Sequence, residues 1–262
     1  MLTPVRLLPL LFALLPLALQ AQSTQADLEA RLLHKPLYLR NLWRGDNLNF
    51  DANGHLLGDQ AHISFTLSGI ELDKLTIKDG KLVLQGRRIG LEFHRDVPKR
   101  ITLRHGAMGG PEEVKIEVDP SSDFTPALDL IFADSLVDLV PTLPFYWQPY
   151  AQTCILGKPE PATARPPLVG TSASNVTAPK VIRSVDPAFS DAARQLDYGG
   201  STLVKVTIGD TGKITQASVV RPLGLGLDEQ ALAAVVQYQF EPARKDGQPI
   251  SVEVRFEVNF NR

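Results

Sequence analysis

The sequence predicts an α+β protein: an N-terminal antiparallel β domain carrying one long apolar helix, then a small α-β-β-α-β domain on a three-stranded antiparallel sheet. Three observations carry this expectation. Short runs of alternating apolar and polar residues recur through the first half, the period-2 mark of strands with one buried face. A proline-rich stretch at 157–180 holds five prolines and no periodic pattern, so it divides residues 27–150 from residues 181–262 as a semi-rigid connector. Beyond it the last segment, 250–260, alternates without fault.

Composition sets the outer bounds. A chain of 262 residues is long enough for two modest domains. A formal charge of −2 gives no basic excess, so nucleic acid is not an expected partner. One cysteine, Cys154, closes no intramolecular disulfide and builds no multi-cysteine metal site, and it is expected to be buried. Residues 1–21 have the layout of a secretory signal peptide: Arg6, an apolar run over 7–19 broken by Pro9 and Pro16, and a small residue, Ala21, at the end. Export with cleavage is expected, the alternative being an anchor through an uncleaved amino terminus.

In the front domain the alternating runs fall at 37–43, 48–50, 63–67, 75–77, 82–84, 89–93, 101–103 and 114–118. Asp79-Gly80 predicts a two-residue hairpin that places Ile77 opposite Leu82 and Leu75 opposite Leu84. A single helix is expected from Thr125 as N-cap, with Pro126 in its first turn and Pro141 as its stop. Ten of the fourteen residues 127–140 are apolar, so the sheet should clasp it.

In the back domain Asp186-Pro187 predicts a helix start and Gly199-Gly200 its end. Strands follow at 203–208 and 214–220 around Asp210-Thr211-Gly212, then a helix from near Asp228. In the last strand Ile250, Val252, Val254, Phe256, Val258 and Phe260 share the buried face, and Ser251, Glu253, Arg255, Glu257 and Asn259 share the wet one.

No motif argues for catalysis, a cofactor or a metal. Asp210-Thr211-Gly212 spells the aspartic-protease triplet, but no second copy exists to share a proton, and it reads as a turn. Gly224-Leu225-Gly226 has Glu229 where a dinucleotide loop needs its third glycine. His34, His55, His62, His94 and His105 show no ligand spacing. Asp134 and Asp138, with Asp129, form a solvated stripe on the long helix, an acid–base pair being the weaker alternative. Arg87, Arg88, Arg95, Lys99, Arg100 and Arg104 face only Glu92 and Asp96, a patch that can meet an anionic envelope polymer or lipid headgroup, or simply be a solvated sheet face.

The back domain resembles the carboxy-terminal domain of the TonB family. Pro187-Ala188-Phe189-Ser190-Asp191-Ala192-Ala193 stands where the family has a P-x-Y-P-x-x-A element. Gly200, the strand from Leu203 to Ile208, the turn Asp210-Thr211-Gly212 and the helix start Gly224-Leu225-Gly226-Leu227-Asp228 follow in family order. Phe240-Glu241-Pro242-Ala243 and Gly247-Gln248-Pro249-Ile250 match its F-x-P-A…G-x-P-[IV] connection.

The resemblance implies an envelope protein whose last strand takes a peptide from an outer-membrane receptor by strand addition. The residues implied are Gln248, Ile250, Ser251, Val252, Glu253, Val254, Arg255 and Phe256, with Glu253, Arg255 and Glu257 tuning which peptide fits. The same edge allows a homodimer by strand exchange. The family's membrane anchor is replaced here by a cleavable leader, and a folded β domain occupies the place of its long arm. The expected protein is therefore a periplasmic, non-enzymatic one linked to outer-membrane transport. The alternative is a periplasmic carrier of a lipid or apolar ligand in the front domain, with the back domain as docking module.

Overall fold

A computed structural model of the chain describes residues 24–94, 96–106, 109–159 and 175–261. The expected leader at 1–21 and most of the proline-rich stretch lie outside the described residues.

The front half opens with a helix that the sequence reading did not anticipate, α1 (Gln25–Leu32). Thr24 and Asp27 form a capping box at its start, and its Leu28 and Leu32 are buried. Strands β1 (Leu37–Leu39), β2 (Asn47–Phe50), β3 (Gly69–Lys78), β4 (Lys81–His94), β5 (Val97–Thr102) and β6 (Glu113–Val118) follow. The β3–β4 hairpin has the expected register, Ile77 against Leu82 and Leu75 against Leu84. Asp79 and Gly80 both take positive φ, 52° and 76°. The expected strand at 63–67 is instead a 3₁₀ turn, Phe65–Leu67, because the Ser64 hydroxyl accepts from the Thr66 amide and starts it.

The front sheet is not wholly antiparallel. β2 lies parallel to β6, Leu48 beside Ile116 and Phe50 beside Val118. Alternation tells which face of a strand is buried, and it is blind to the direction in which the strand runs.

The long apolar helix is also corrected. It is broken into α2 (Thr125–Ile131), a short strand β7 (Phe132–Ala133) and α3 (Leu136–Leu139). Phe132 and Ala133 pair with Leu39 and Tyr38 of β1, closing the edge of a seven-stranded sheet. Arg40 supports the break: its Nε donates to the carbonyls of Asp129 and Phe132, and its Nη1 to that of Asp138. Ser135 caps the second piece by accepting from the Asp138 amide. The carrier alternative rested on one clasped apolar helix, and that helix is absent from the described residues. Short helical turns then lead through α4 (Gln148–Tyr150) to a π-turn, Ala151–Ile155. Cys154 lies on the outer side of that turn and is exposed, contrary to expectation.

The back half begins inside the proline-rich stretch, whose end forms β8 (Val176–Thr177) and β9 (Lys180–Arg183). Then come α5 (Asp191–Gln195), β10 (Gly200–Ile208), β11 (Ile214–Arg221), α6 (Leu227–Val235), β12 (Gln239–Glu241), β13 (Ala243–Lys245), β14 (Gln248–Ile250) and β15 (Val252–Phe260). Helix α5 starts later than Asp186, because Ser190 is its cap and accepts from the Ala193 amide. The three-stranded antiparallel sheet is present in the order β11-β10-β15, and two small ribbons, β12-β9 and β14-β13-β8, flank it.

The two halves share a core. One apolar cluster belongs to the front sheet with α1 and α2, including Leu28, Phe50 and Phe124. The other runs across the seam, joining Phe65, Leu91, Phe93, Trp147 and Tyr150 to Val204, Leu225, Leu227 and Val235. Backbone bonds stitch the seam: the Phe93 amide donates to the Leu223 carbonyl at 3.0 Å and the Leu225 amide to the Leu91 carbonyl at 2.9 Å. The Gly226 amide donates to the Thr66 hydroxyl at 2.8 Å.

Gly224 has φ +101°, and a Cβ there would lodge against the Leu91 carbonyl. Gly224→Ala should therefore cost about 1–3 kcal/mol. Urea unfolding of the intact chain checks this; an unchanged midpoint would mean that the seam tolerates a side chain there.

Candidate functional site

Strand β15 is an edge strand. On its inner side Val252 pairs with Ile208, Glu253 with Thr207, Val254 with Val206, Arg255 with Lys205 and Phe256 with Val204. Among the described residues no strand pairs with its outer side. The opposite edge, β11, is packed by the front half's turn at Phe145–Trp147 and by α4. A groove of about 410 Å³ runs along the start of β15, with Ala178 and Pro179 across it and Ile208, Phe240 and Phe256 in its lining. Phe256 is stacked on Tyr238 with ring centroids 5.9 Å apart.

The expected strand from Ile250 onward is interrupted. Gln248 and Ile250 lie in β14, paired with Lys245 and Ala243 of β13, and the exposed Ser251 joins the two strands. The structure thus brings Val252, Glu253, Val254, Arg255 and Phe256 together on the open edge, and sets Gln248 and Ile250 apart in a ribbon. Glu253 is a second correction: only 6% of it is exposed, and its Oε2 lies 3.7 Å from Lys205 Nζ. Alternation places it on the polar face, and the neighbouring strand buries it there. Glu257 does stay wet, ion-paired with Arg221 across the sheet.

The basic patch does not form a continuous cationic face. Arg87 pairs with Glu71 and Asp73, and Lys99 with Glu92 at 2.6 Å. Arg100 sits 5.5 Å over the Tyr38 ring and bonds to the Ile70 carbonyl. Arg88 is buried, and Arg95 lies outside the described residues. The helix carboxylates are likewise engaged: Asp129 and Asp134 face Arg31, and Asp138 accepts from the Ser135 hydroxyl. The break between α2 and α3 parts Asp134 from Asp138, removing the shared helical face. Among the described residues no cluster of three His, Cys, Asp or Glu groups converges as a metal site would. Asp210-Thr211-Gly212 is the β10–β11 turn, with Gly212 at φ +77°.

Sequence reasoning missed the acidic pair that opens α6. Asp228 is fully buried and accepts from the Leu223 and Gly224 amides, both at 2.8 Å, and from the Thr202 hydroxyl at 2.7 Å. Burial pushes its carboxyl above the usual range, against the pull of those bonds. Glu229 accepts from the Trp147 indole of the front half at 2.8 Å. Burial, and secondarily the neighbouring Asp228, push it up to about 7. The available signal was position: both acids stand at the head of an apolar helix that has to bury one face.

A small α+β unit with an unpaired terminal strand falls in the class of domains able to extend their sheet with a foreign strand. The comparisons narrow that class. Residues 185–261 match the family described as Gram-negative bacterial TonB protein C-terminal, so the resemblance read from Pro187 to Ile250 holds for the back half. The front half lies outside the matched residues. Among solved structures, the solution NMR structure of the Pseudomonas aeruginosa TonB C-terminal domain is 20% identical, covering 35% of this chain and 91% of that one, with a TM-score of 0.28. No curated protein matches the chain.

Two predictions follow from the acids. Asp228→Ala strands two buried amides and should cost about 2–3 kcal/mol in urea unfolding. Glu229 binds its proton more tightly in the native state than unfolded, where 4.5 is its ordinary value. Its contribution is therefore full below pH ~4.5 and falls away as pH rises through ~7, by at most about 3 kcal/mol. Unfolding midpoints between pH 5 and 8 should decline for the natural chain and decline less for Glu229→Gln; parallel profiles would refute the assignment.

Proposed function

We propose that this is an exported, non-enzymatic protein of the cell envelope whose back half takes an extended peptide segment as an added strand on β15, in support of outer-membrane transport. The observation that supports it best is the open edge of β15 beside its groove, on a unit whose residues 185–261 match a TonB C-terminal family. An unpaired row of amides and carbonyls binds a strand through its backbone, so the partner needs few defined side chains. Apolar groups lining the groove favour an apolar residue opposite Val254 and Phe256.

The partner suggested by the family is the amino-terminal segment of an outer-membrane receptor. No described helix is long and apolar enough to cross a membrane. In this reading the protein works from the periplasm after loss of residues 1–21. The same open edge suits strand exchange between two copies.

The test is an NMR titration of the intact chain with peptides from the amino-terminal segments of outer-membrane receptors of the same cell. Shifts should concentrate at residues 252–256 and leave Gln248 and Ile250 nearly still. A flat titration at millimolar peptide, or shifts centred on β11, would overturn the reading.

A further inference from the structure

The end of the proline-rich stretch is tied into the back half. Val176 and Thr177 of β8 pair with Lys245 and Arg244 of β13, and Lys180 and Val181 of β9 pair with Glu241 and Phe240 of β12. Ala178 and Pro179, between the two strands, are therefore held by a ladder on each flank, and the Pro179 ring fixes its own φ. These two residues stand across the groove from β15. The family match begins only at residue 185, so this far wall is built from residues outside it.

Four consecutive residues of β15, 253–256, line the groove. Side chains alternate along a strand, so a groove that touches all four runs beside the strand and not over one of its faces. The inner side of β15 is taken by β10, which leaves the groove on the outer side, where an added strand would lie about 4.8 Å away. At ~3.3 Å per residue the four positions make a slot about 13 Å long. Of the charged residues in the lining, Glu253 is buried with its Oε2 3.7 Å from Lys205, and Arg255 is exposed. The half-buried Val254 and Phe256 on one side and Pro179 on the other offer apolar surface to whatever lies between them. Pro179 has no amide hydrogen, so at that residue the far wall contributes packing and no donor.

A bare sheet edge reads little beyond the backbone of its partner. A wall on the far side adds side-chain burial, and burying one Val or Leu side chain is worth about tenfold or more in affinity. We propose that Ala178 and Pro179 are specificity-determining residues of the β15 site, making its open edge a slot for an extended peptide of about four residues that sets an apolar side chain between the two walls. The proposal rests on the strand-addition reading and adds to it which segment of a partner is chosen, and by which residues of this chain.

NMR titration of the intact chain tests it, with synthetic peptides from the amino-terminal segments of outer-membrane receptors. The tightest of them is then remade with each apolar residue in turn replaced by glycine. The amides of Ala178 and Lys180 should shift together with those of residues 252–256, and one glycine replacement should weaken binding about tenfold. Ala178→Trp, at an exposed position, should fill the slot and weaken the parent peptide about tenfold or more, with the seam amides of Leu225 and Gly226 unmoved. Pro179→Gly, which removes the ring and keeps the chain, should weaken the parent peptide about threefold or more and leave its glycine form nearly unaffected. Binding at residues 252–256 as tight in Ala178→Trp as in the natural chain would overturn the proposal and leave strand addition standing. No loss, or an equal loss for both peptides, in Pro179→Gly would do the same. No binding to the natural chain would remove strand addition itself, and this proposal with it.

Discussion

The turn from Leu223 to Gly226 is the point on which both halves depend. Asp228 reaches back from α6 to hold its amides, and β4 takes two of its backbone groups as though the turn were another strand. A carboxylate with three short hydrogen bonds tolerates a fully buried position that would otherwise be costly. The turn is thereby fixed in a shape that only glycine fits at Gly224, and β4 can dock against it at backbone distance. Trp147 then closes the seam from the side, fully buried, with its indole on Glu229.

This docking makes the two sides of the back sheet unlike. An isolated three-stranded sheet has two free edges, and both would template pairing. Here the turn at Phe145–Trp147 and α4 pack against β11, while among the described residues no strand pairs with the outer side of β15. Ion pairing does comparable work on the front sheet. Two cations of its basic run are paired, Arg87 with Glu71 and Asp73 of β3 and Lys99 of β5 with Glu92 of β4, so the run is less basic in space than along the chain.

Much of the architecture could be read from local chemistry. The Asp79-Gly80 hairpin and its register, the turn at Asp210-Thr211-Gly212 and the alternation of β15 are all set by residues close in sequence. Where the reading failed, a distant partner intervened. The apolar run 127–140 has the composition of one helix, yet β1 offered Phe132 and Ala133 a ladder and Arg40 absorbed the freed carbonyls. Glu253 fell on the polar face by period, yet it is buried with Oε2 3.7 Å from Lys205 of the neighbouring strand.

The sequence by itself determined the face that most strands bury, the Asp79-Gly80 hairpin with its register and the turn at Asp210-Thr211-Gly212, because these follow from side-chain period and turn chemistry. Only the tertiary structure decided that the halves share a core, that β2 runs parallel to β6, that β15 keeps an open edge, and that Ala178 and Pro179 stand across the groove beside it. Each of these is a pairing between residues far apart in the chain. Period and propensity describe a segment's own surface, and they carry no information about which other surface will cover it.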